Sequence, residues 1–248
     1  MFNRLAADYA RRPPYPAALV DRVAALAGGP GARVLEAGAG TGHLALPLAA
    51  QGLRVTALEP ARAMLDALAA AARAAGLAVE AVHAAAEETG LATGAFDLAI
   101  LADAAHWVDP SRAGPELRRV LAPGGRLAFL VPSLADTPFL RALGERIALA
   151  NPRARPGSPP VVAIAGAARL PLEGEASFED ATPLDPDDLD AVIRSLSYAG
   201  PALGPAGVAA LLSDARALAA AHRGAVWARR VLLAWTAPAA RAPAAEGC

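Results

Sequence analysis

Lysine is absent from the 248 residues, and all 23 basic positions are arginine. That removes Schiff-base and lysine general-base chemistry. Cysteine is almost absent as well: with only Cys248, there is no disulfide framework, no zinc cluster and no buried catalytic thiol to build. Although 55% of the chain is hydrophobic, much of that is alanine, and no stretch reaches the roughly 18 to 20 uninterrupted apolar residues of a membrane span. Residues 1–16, MFNRLAADYARRPPYP, mix charge, tyrosine and proline where a secretory signal needs a continuous apolar segment, which points to the cytoplasm. The arginines nearly balance 24 acidic residues and form no basic stripe, which argues against nucleic acid as substrate. A chain of this length makes one domain, two at most.

What is present is an alternation of two periods. Residues 16–27 put Leu19, Val20, Val23 and Leu26 on one helical face, and Gly28, Gly29 and Pro30 stop the helix. A strand follows at 32–38, a helix from His43 to Gly52 in which Pro47 predicts a kink, a strand at 53–60, a helix at 61–76 and a strand at 77–84. The rhythm continues with a strand at 95–103, a helix at 114–125 and a strand at 126–133. Strands and helices alternating at this spacing predict an α/β fold with a parallel sheet covered on both faces. The rhythm breaks at 134–175, where a helix at 137–150 precedes the Pro-rich NPRARPGSPP, a segment read as a cap. Two candidate strands, 174–184 and 225–236, flank a helix near 205–222, and the residues after 236 read as a flexible tail.

The first strand runs into VLEAGAGTGHLA (34–45), where Gly38, Gly40 and Gly42 bare the backbone for close approach of a ligand. In an open α/β sheet that place lies beyond the carboxyl ends of the strands. Glu59 ends the next strand 17 positions after Gly42, near the spacing at which an acid reaches ribose hydroxyls, so a nucleoside-like ligand is expected. A dinucleotide motif G-x-G-x-x-G is broken by His43. Glu36 before the glycines suits a cationic amino acid better than a pyrophosphate.

Four stretches, 34–45, VTALEPARAML (55–65), AAAEETGLATGAFDLAILADAAHWVD (84–109) and ELRRVLAPGGRLAFL (116–130), together resemble the class I S-adenosylmethionine-dependent methyltransferases. The likeness is to the small-molecule branch that includes the ubiquinone-biosynthesis and trans-aconitate enzymes, and it covers about the first half of the chain. It implies a Rossmann-like, mostly parallel seven-stranded sheet with helices on both faces and a small cap insertion. The implied organisation is one domain over 1–236, divided into an N-terminal helical segment over the site (1–30), a cofactor-binding core (31–133), a cap (134–175) and C-terminal strands and helix (176–236), with a tail at 237–248.

By the same resemblance the cofactor is S-adenosylmethionine, leaving as S-adenosylhomocysteine, with no metal. Glu36 would hold the ammonium, Gly38, Gly40 and Gly42 would wall the amino-acid and ribose portions, and Glu59 would take the ribose hydroxyls. Pro60, Met64, Ala86, Glu87 and Ala102 complete the implied set, with Met64 against adenine or simply in the core. Ala85 stands where many relatives carry Asp, so the contact to the adenine amine stays open. Tyr9 and Tyr15 lie in the segment that folds over the donor in similar enzymes.

His106 and Trp107 follow the fourth strand, which lies beside the first across the switch point, so both are expected to face the donor. His106 is a candidate catalytic base or a group that orients the acceptor, and Trp107 a packing anchor or a wall of the acceptor pocket. Arg194 and Tyr198 in RSLSYAG are candidate acceptor contacts, with a capped helix end as the rival reading. The expected function is transfer of a methyl group to a small organic acceptor, with natural-product or quinone-type biosynthesis as the leading context and a monomer or homodimer as the unit. A protein of this fold that uses the cofactor for another reaction, such as a cyclisation, is the main alternative. A nicotinamide-dependent oxidoreductase and a non-catalytic binding module follow.

Overall fold

The computed structural model of the chain describes residues 2–152 and 158–240. Its strands are β1 (Arg33–Ala37), β2 (Arg54–Leu58), β3 (Val79–Val82), β4 (Phe96–Ala102), β5 (Leu121–Leu134), β6 (Leu172–Leu184) and β7 (Ala225–Thr236). Among the described residues the α-helices are α1 (Ala6–Tyr9), α2 (Ala17–Ala27), α3 (Ala45–Ala50), α4 (Arg62–Ala74), α5 (Pro110–Val120), α6 (Pro138–Ala150), α7 (Val161–Ala167), α8 (Pro186–Ser195) and α9 (Pro205–Ala221). None of them is long and apolar enough to cross a membrane.

The strands form one mostly parallel, seven-stranded Rossmann-like sheet in the order β3-β2-β1-β4-β5-β7-β6. β1 pairs in parallel with β2 on one side and β4 on the other, so the chain winds outward from β1 to β3 and then returns across it. This reversal leaves a crevice beyond the carboxyl end of β1, the place where such sheets bind ligands. Glu36 sits in register between Ala57 of β2 and Ile100 of β4.

The contacts of the chain divide it into two compact units. A sheet unit comprises Tyr15–Val131, Ser158–Phe178 and Leu232–Cys248, and a helical unit comprises Met1–Pro14, Pro132–Gly157 and Glu179–Val231. Each unit has its own centre of packing. In the sheet unit Leu35, Leu58, Leu101, Leu117, Phe129 and Ile164 are buried in one cluster, each large apolar side chain contributing about 1.5–3 kcal/mol by leaving water. The helical unit has its own cluster, built from Phe139 and Leu143 of α6, Val192 and Ile193 of α8, Leu211 of α9 and Trp227 of β7. A carboxylate buried there, Asp190 at 5% exposure, is met by Arg194 at 3.2 Å and Arg216 at 2.7 Å. Pairing of this kind is what lets a charge leave water.

Local chemistry explains most element ends. Gly28 closes α2 in the left-handed conformation, φ +107°, its N–H bonding the Ala24 carbonyl as a C-cap does. Pro47 does not kink α3, because it stands in the first turn, where the backbone N–H it lacks would have no intrahelical partner to lose. The helix expected at 114–125 runs instead over α5. Asp109 caps it through the Ser111 N–H with Pro110 at the first position, and Leu121 has already left to pair with Phe96 of β4.

The region expected to form one cap at 134–175 is shared between the units: α6 belongs to the helical unit and α7 to the sheet unit. There α7 packs so closely on α5 that a Cβ on Gly114 would stand 2.7 Å from the Ile164 carbonyl oxygen. Of the Pro-rich segment within that region, residues 153–157 lie outside the described residues, as do 241–248 of the expected tail. Residues 237–240 are held: Ala239 is buried, accepts from the Gly124 N–H and donates to the Gly125 carbonyl.

Candidate functional site

The glycine turn leaves β1 in the sheet unit with Gly38, Gly40 and Gly42 all at positive φ, +77°, +56° and +92°. The Gly38 and Ala39 N–H groups both donate to the Leu58 carbonyl at the end of β2, at 2.8 and 3.0 Å, which fixes how the turn begins. At Gly38 the requirement is twofold. Its φ is one that residues with a Cβ rarely adopt, and a Cβ built there would lie 2.6 Å from that of Ala104, in the segment leaving β4. The Ala104 methyl thus fills the space a Gly38 side chain would need, and the two loops that flank the crevice pack together there.

Glu59, at the end of β2 and only 7% exposed, ties this turn to the start of α4. Its Oε2 accepts from the Gly40 N–H at 2.9 Å and its Oε1 from the Ala61 N–H at 2.8 Å. Each carboxylate oxygen has a second lone pair, so the side chain keeps capacity for hydroxyl donors.

Glu36 is the more unusual acid. It is 2% exposed, and its Oε2 has no hydrogen-bond partner among the described residues. Burial pushes the carboxyl up to about 8, opposed by a hydrogen bond from the Ala45 N–H and reinforced by the like charge of Glu59. A buried acceptor left without a donor costs about 1–3 kcal/mol. A buried polar atom without a partner is rare in folded proteins and calls for a physical explanation.

The remaining expected cofactor residues lie in the same unit. Pro60 follows Glu59, and its carbonyl is 3.0 Å from His83 Nε2. Met64, 2% exposed on α4, is part of the buried interior, and Ala86 packs in the cluster with Leu58 and Ala104. Glu87 Oε1 accepts from the Asp109 N–H at 2.8 Å, just ahead of α5. Ala102 ends β4 and is buried. His43 Nδ1 is 3.2 Å from Thr41 Oγ1.

His106 and Trp107 lie in a 3-10 turn at Ala105–Trp107, both exposed, Trp107 by half of its surface. Their ring centroids are 4.9 Å apart, tilted by 48°. Asp103, in the left-handed conformation at φ 51°, re-aims the chain from β4 into this turn while its N–H bonds the Leu130 carbonyl. The sequence reading passed over it. An Asp closing an apolar strand is the signal that was available, since Asp tolerates this conformation better than most residues.

Tyr15 precedes α2 in the sheet unit, whereas Tyr9, Arg194 and Tyr198 belong to the helical unit. Tyr9 carries the Arg12 guanidinium 4.1 Å above its ring. Arg194 is engaged by two carboxylates, Asp190 and, at 3.7 Å, Asp8, so its charge is already balanced. The Tyr198 carbonyl accepts from Asn151 Nδ2 at 2.8 Å. Sequence reasoning weighed only a helix end at RSLSYAG; α8, which carries Arg194 at its last turn, has a legible start in Asp185-Pro186, where the Asp185 side chain caps the Asp188 N–H.

The arrangement fits an amino-acid nucleoside. An unpartnered carboxyl oxygen suits an ammonium, and Glu59 suits vicinal hydroxyls. Among the described residues no group of three His, Cys, Asp or Glu side chains is placed to hold a metal ion.

Residues 35–129 match the profile of a methyltransferase domain. An uncharacterized methyltransferase of Mycobacterium tuberculosis is 44% identical over 138 residues, 55% of this chain and 54% of the relative. The chain thus spans about half the length of the curated relatives it matches. Among solved structures, a candidate type II methyltransferase from Anaeromyxobacter dehalogenans is 25% identical with a TM-score of 0.60, covering 93% of this chain and 99% of its own. The geranyl diphosphate C-methyltransferase of Streptomyces coelicolor A3(2), solved with S-adenosyl-L-homocysteine, shares the fold at 16% identity and a TM-score of 0.53, over 89% of this chain and 75% of its own.

Proposed function

Because residues 35–129 match a methyltransferase domain, we propose that this protein is a class I methyltransferase that transfers the methyl group of S-adenosylmethionine to a small organic acceptor. The observation that carries the reading is the pair of buried acids, Glu36 and Glu59, on either side of a turn whose Gly38 leaves no room for a side chain. When bound, the sulfonium supplies an electrophilic methyl carbon for in-line displacement by the acceptor.

The protein's part is chiefly to bind and align. Glu36 takes the ammonium on Oε2, Glu59 takes the ribose hydroxyls on the lone pairs left by Gly40 and Ala61, and Ala86 with Glu87 borders the adenine. Holding nucleophile, methyl carbon and leaving sulfur collinear accounts for much of the acceleration in such a displacement. A base is needed only when the acceptor arrives protonated. His106, exposed at the rim beside Trp107, is the group we assign to take that proton from a phenol, carboxylic acid or ammonium. Trp107, half exposed, offers a flat apolar face to the acceptor. A quinone-like or natural-product acceptor in the cytoplasm follows from the family resemblance alone.

Calorimetric titration with S-adenosylhomocysteine, with NAD in parallel, tests the donor. Saturable 1:1 binding of the former alone is the expected result, and binding of NAD alone or of neither ends the assignment. Tight donor binding with no methylated product from a broad acceptor panel would transfer the proposal to a reaction other than methyl transfer.

A further inference from the structure

Glu36 is enclosed on every side that the fold supplies. β2 and β4 present Ala57 and Ile100 at its register, α3 supplies one N–H donor from Ala45, and the charged group acting on it is Glu59, which carries the same sign. Glu59 cannot turn to relieve it, because both of its oxygens are held by backbone N–H groups at 2.9 and 2.8 Å. A carboxylate in that position would have one hydrogen bond, an unpartnered oxygen and a like charge nearby, at 2% exposure. A carboxylic acid has one negative charge fewer to accommodate, and it is the form favoured until a cation arrives.

Resting on the donor assignment above, we propose that Glu36 is a proton-exchange site: its carboxyl holds a proton in the empty protein and yields it to solvent as the α-ammonium of the donor occupies the place beside Oε2. The balance is one carboxylic acid plus one alkylammonium giving one carboxylate–ammonium pair and one proton in the buffer, with no covalent bond made or broken in the ligand. The site therefore reads the amino group of the ligand, and pH and donor concentration act on the same equilibrium. Linkage makes the coupling reciprocal, so a donor that expels a proton binds more tightly as pH rises towards the ionisation of the empty site. With the carboxyl ionising at about 8, affinity gains roughly tenfold between pH 6 and pH 7 and levels off above pH 8. A proton lost from an imidazole would instead bend the profile near the ordinary histidine range, about 6.5.

The test is titration of the full chain with S-adenosylhomocysteine at pH 7 in two buffers of different ionisation enthalpy, repeated from pH 6 to pH 8.5. The expected result is release of about one proton per ligand and an affinity profile bending near pH 8. Titration with 5′-methylthioadenosine, which keeps the nucleoside and thioether but has no ammonium, should release none. Glu36→Gln, whose amide has no proton to lose in this range, should bind S-adenosylhomocysteine with a heat independent of the buffer. Buffer-independent binding by the unmodified protein overturns the proposal while leaving the donor assignment standing. So does equal proton release with 5′-methylthioadenosine, or a bend near 6.5. Absence of S-adenosylhomocysteine binding across the whole pH range overturns both.

Discussion

Replacing Gly38 with alanine perturbs the site at the point where its geometry is tightest. Two separate costs are built into the position. The first is conformational: φ of +77° is left-handed, and placing a Cβ there costs about 1–2 kcal/mol. The second is steric, since the new Cβ would stand 2.6 Å from that of Ala104, and overfilling of this kind typically costs about 1–3 kcal/mol. Together they predict a loss of roughly 2–5 kcal/mol, or about 4–20 °C in Tm for a chain of this size. Urea unfolding followed by circular dichroism reads the loss, with the slope checked against the parent because the chain holds two packing units. The costs separate in a double-mutant cycle. Ala104→Gly removes the overlap and leaves the backbone strain, so the double variant should recover about 1–3 kcal/mol relative to the sum of the single changes. Additivity within about 0.5 kcal/mol would refute the close approach as the reason for glycine here. The single variant should also lower methyl transfer more than its stability loss explains, because Ala104 immediately precedes the turn that bears His106 and Trp107.

Other residues give independent tests. Glu59→Gln puts an amide N–H₂ against one of two backbone donors, so S-adenosylhomocysteine affinity should fall by about 1–3 kcal/mol in titration; unchanged affinity would restrict Glu59 to holding the turn. His106→Ala should reduce turnover while leaving donor affinity within about twofold in the same titration, and full activity across pH would remove it as the base. Glu116 is held down to about 2, chiefly by Arg119 and also by hydrogen bonds from Thr89, so its stabilisation is present above the ordinary carboxylate range and is lost as pH falls towards 2. Glu116→Gln should therefore flatten the acid limb of denaturation between pH 5 and pH 2 by about 1–2 kcal/mol, allowing for the partly exposed Arg119; identical limbs would show the network to be energetically idle.

Several features were legible because their causes lie within a few residues of chain. The end of α2 follows from Gly28, the placing of Glu59 at the end of β2 from the length of one strand and its loop, and the alternation through β5 from the change between periods of 3.6 and 2. Even where the reading slipped, the signal was local. Asp109-Pro110 starts α5 four residues before the expected 114, and Asp185-Pro186 starts α8, of which the reading weighed only the end. Pro47 misled because its consequence depends on position within a helix whose first residue, Ala45, the pattern alone does not settle.

The chemistry of the site has another origin. Glu36 is one acid among 24, and nothing in VLEAGAG says that one of its oxygens is left without a donor. That follows from Ala57 and Ile100 arriving on either side, from α3 turning a single N–H towards it and from Glu59 being held by Gly40 and Ala61, contacts that join segments up to 64 residues apart. The division of the expected cap is similar: α6 and α7 are near neighbours in sequence, yet α7 joins the sheet unit because Gly114 lets it reach the backbone of α5. Turn chemistry and hydrophobic period are properties of neighbouring residues, so the chain carries them before it folds. Desolvation, an unpaired lone pair and a missing Cβ have energetic meaning only when distant strands have closed around them.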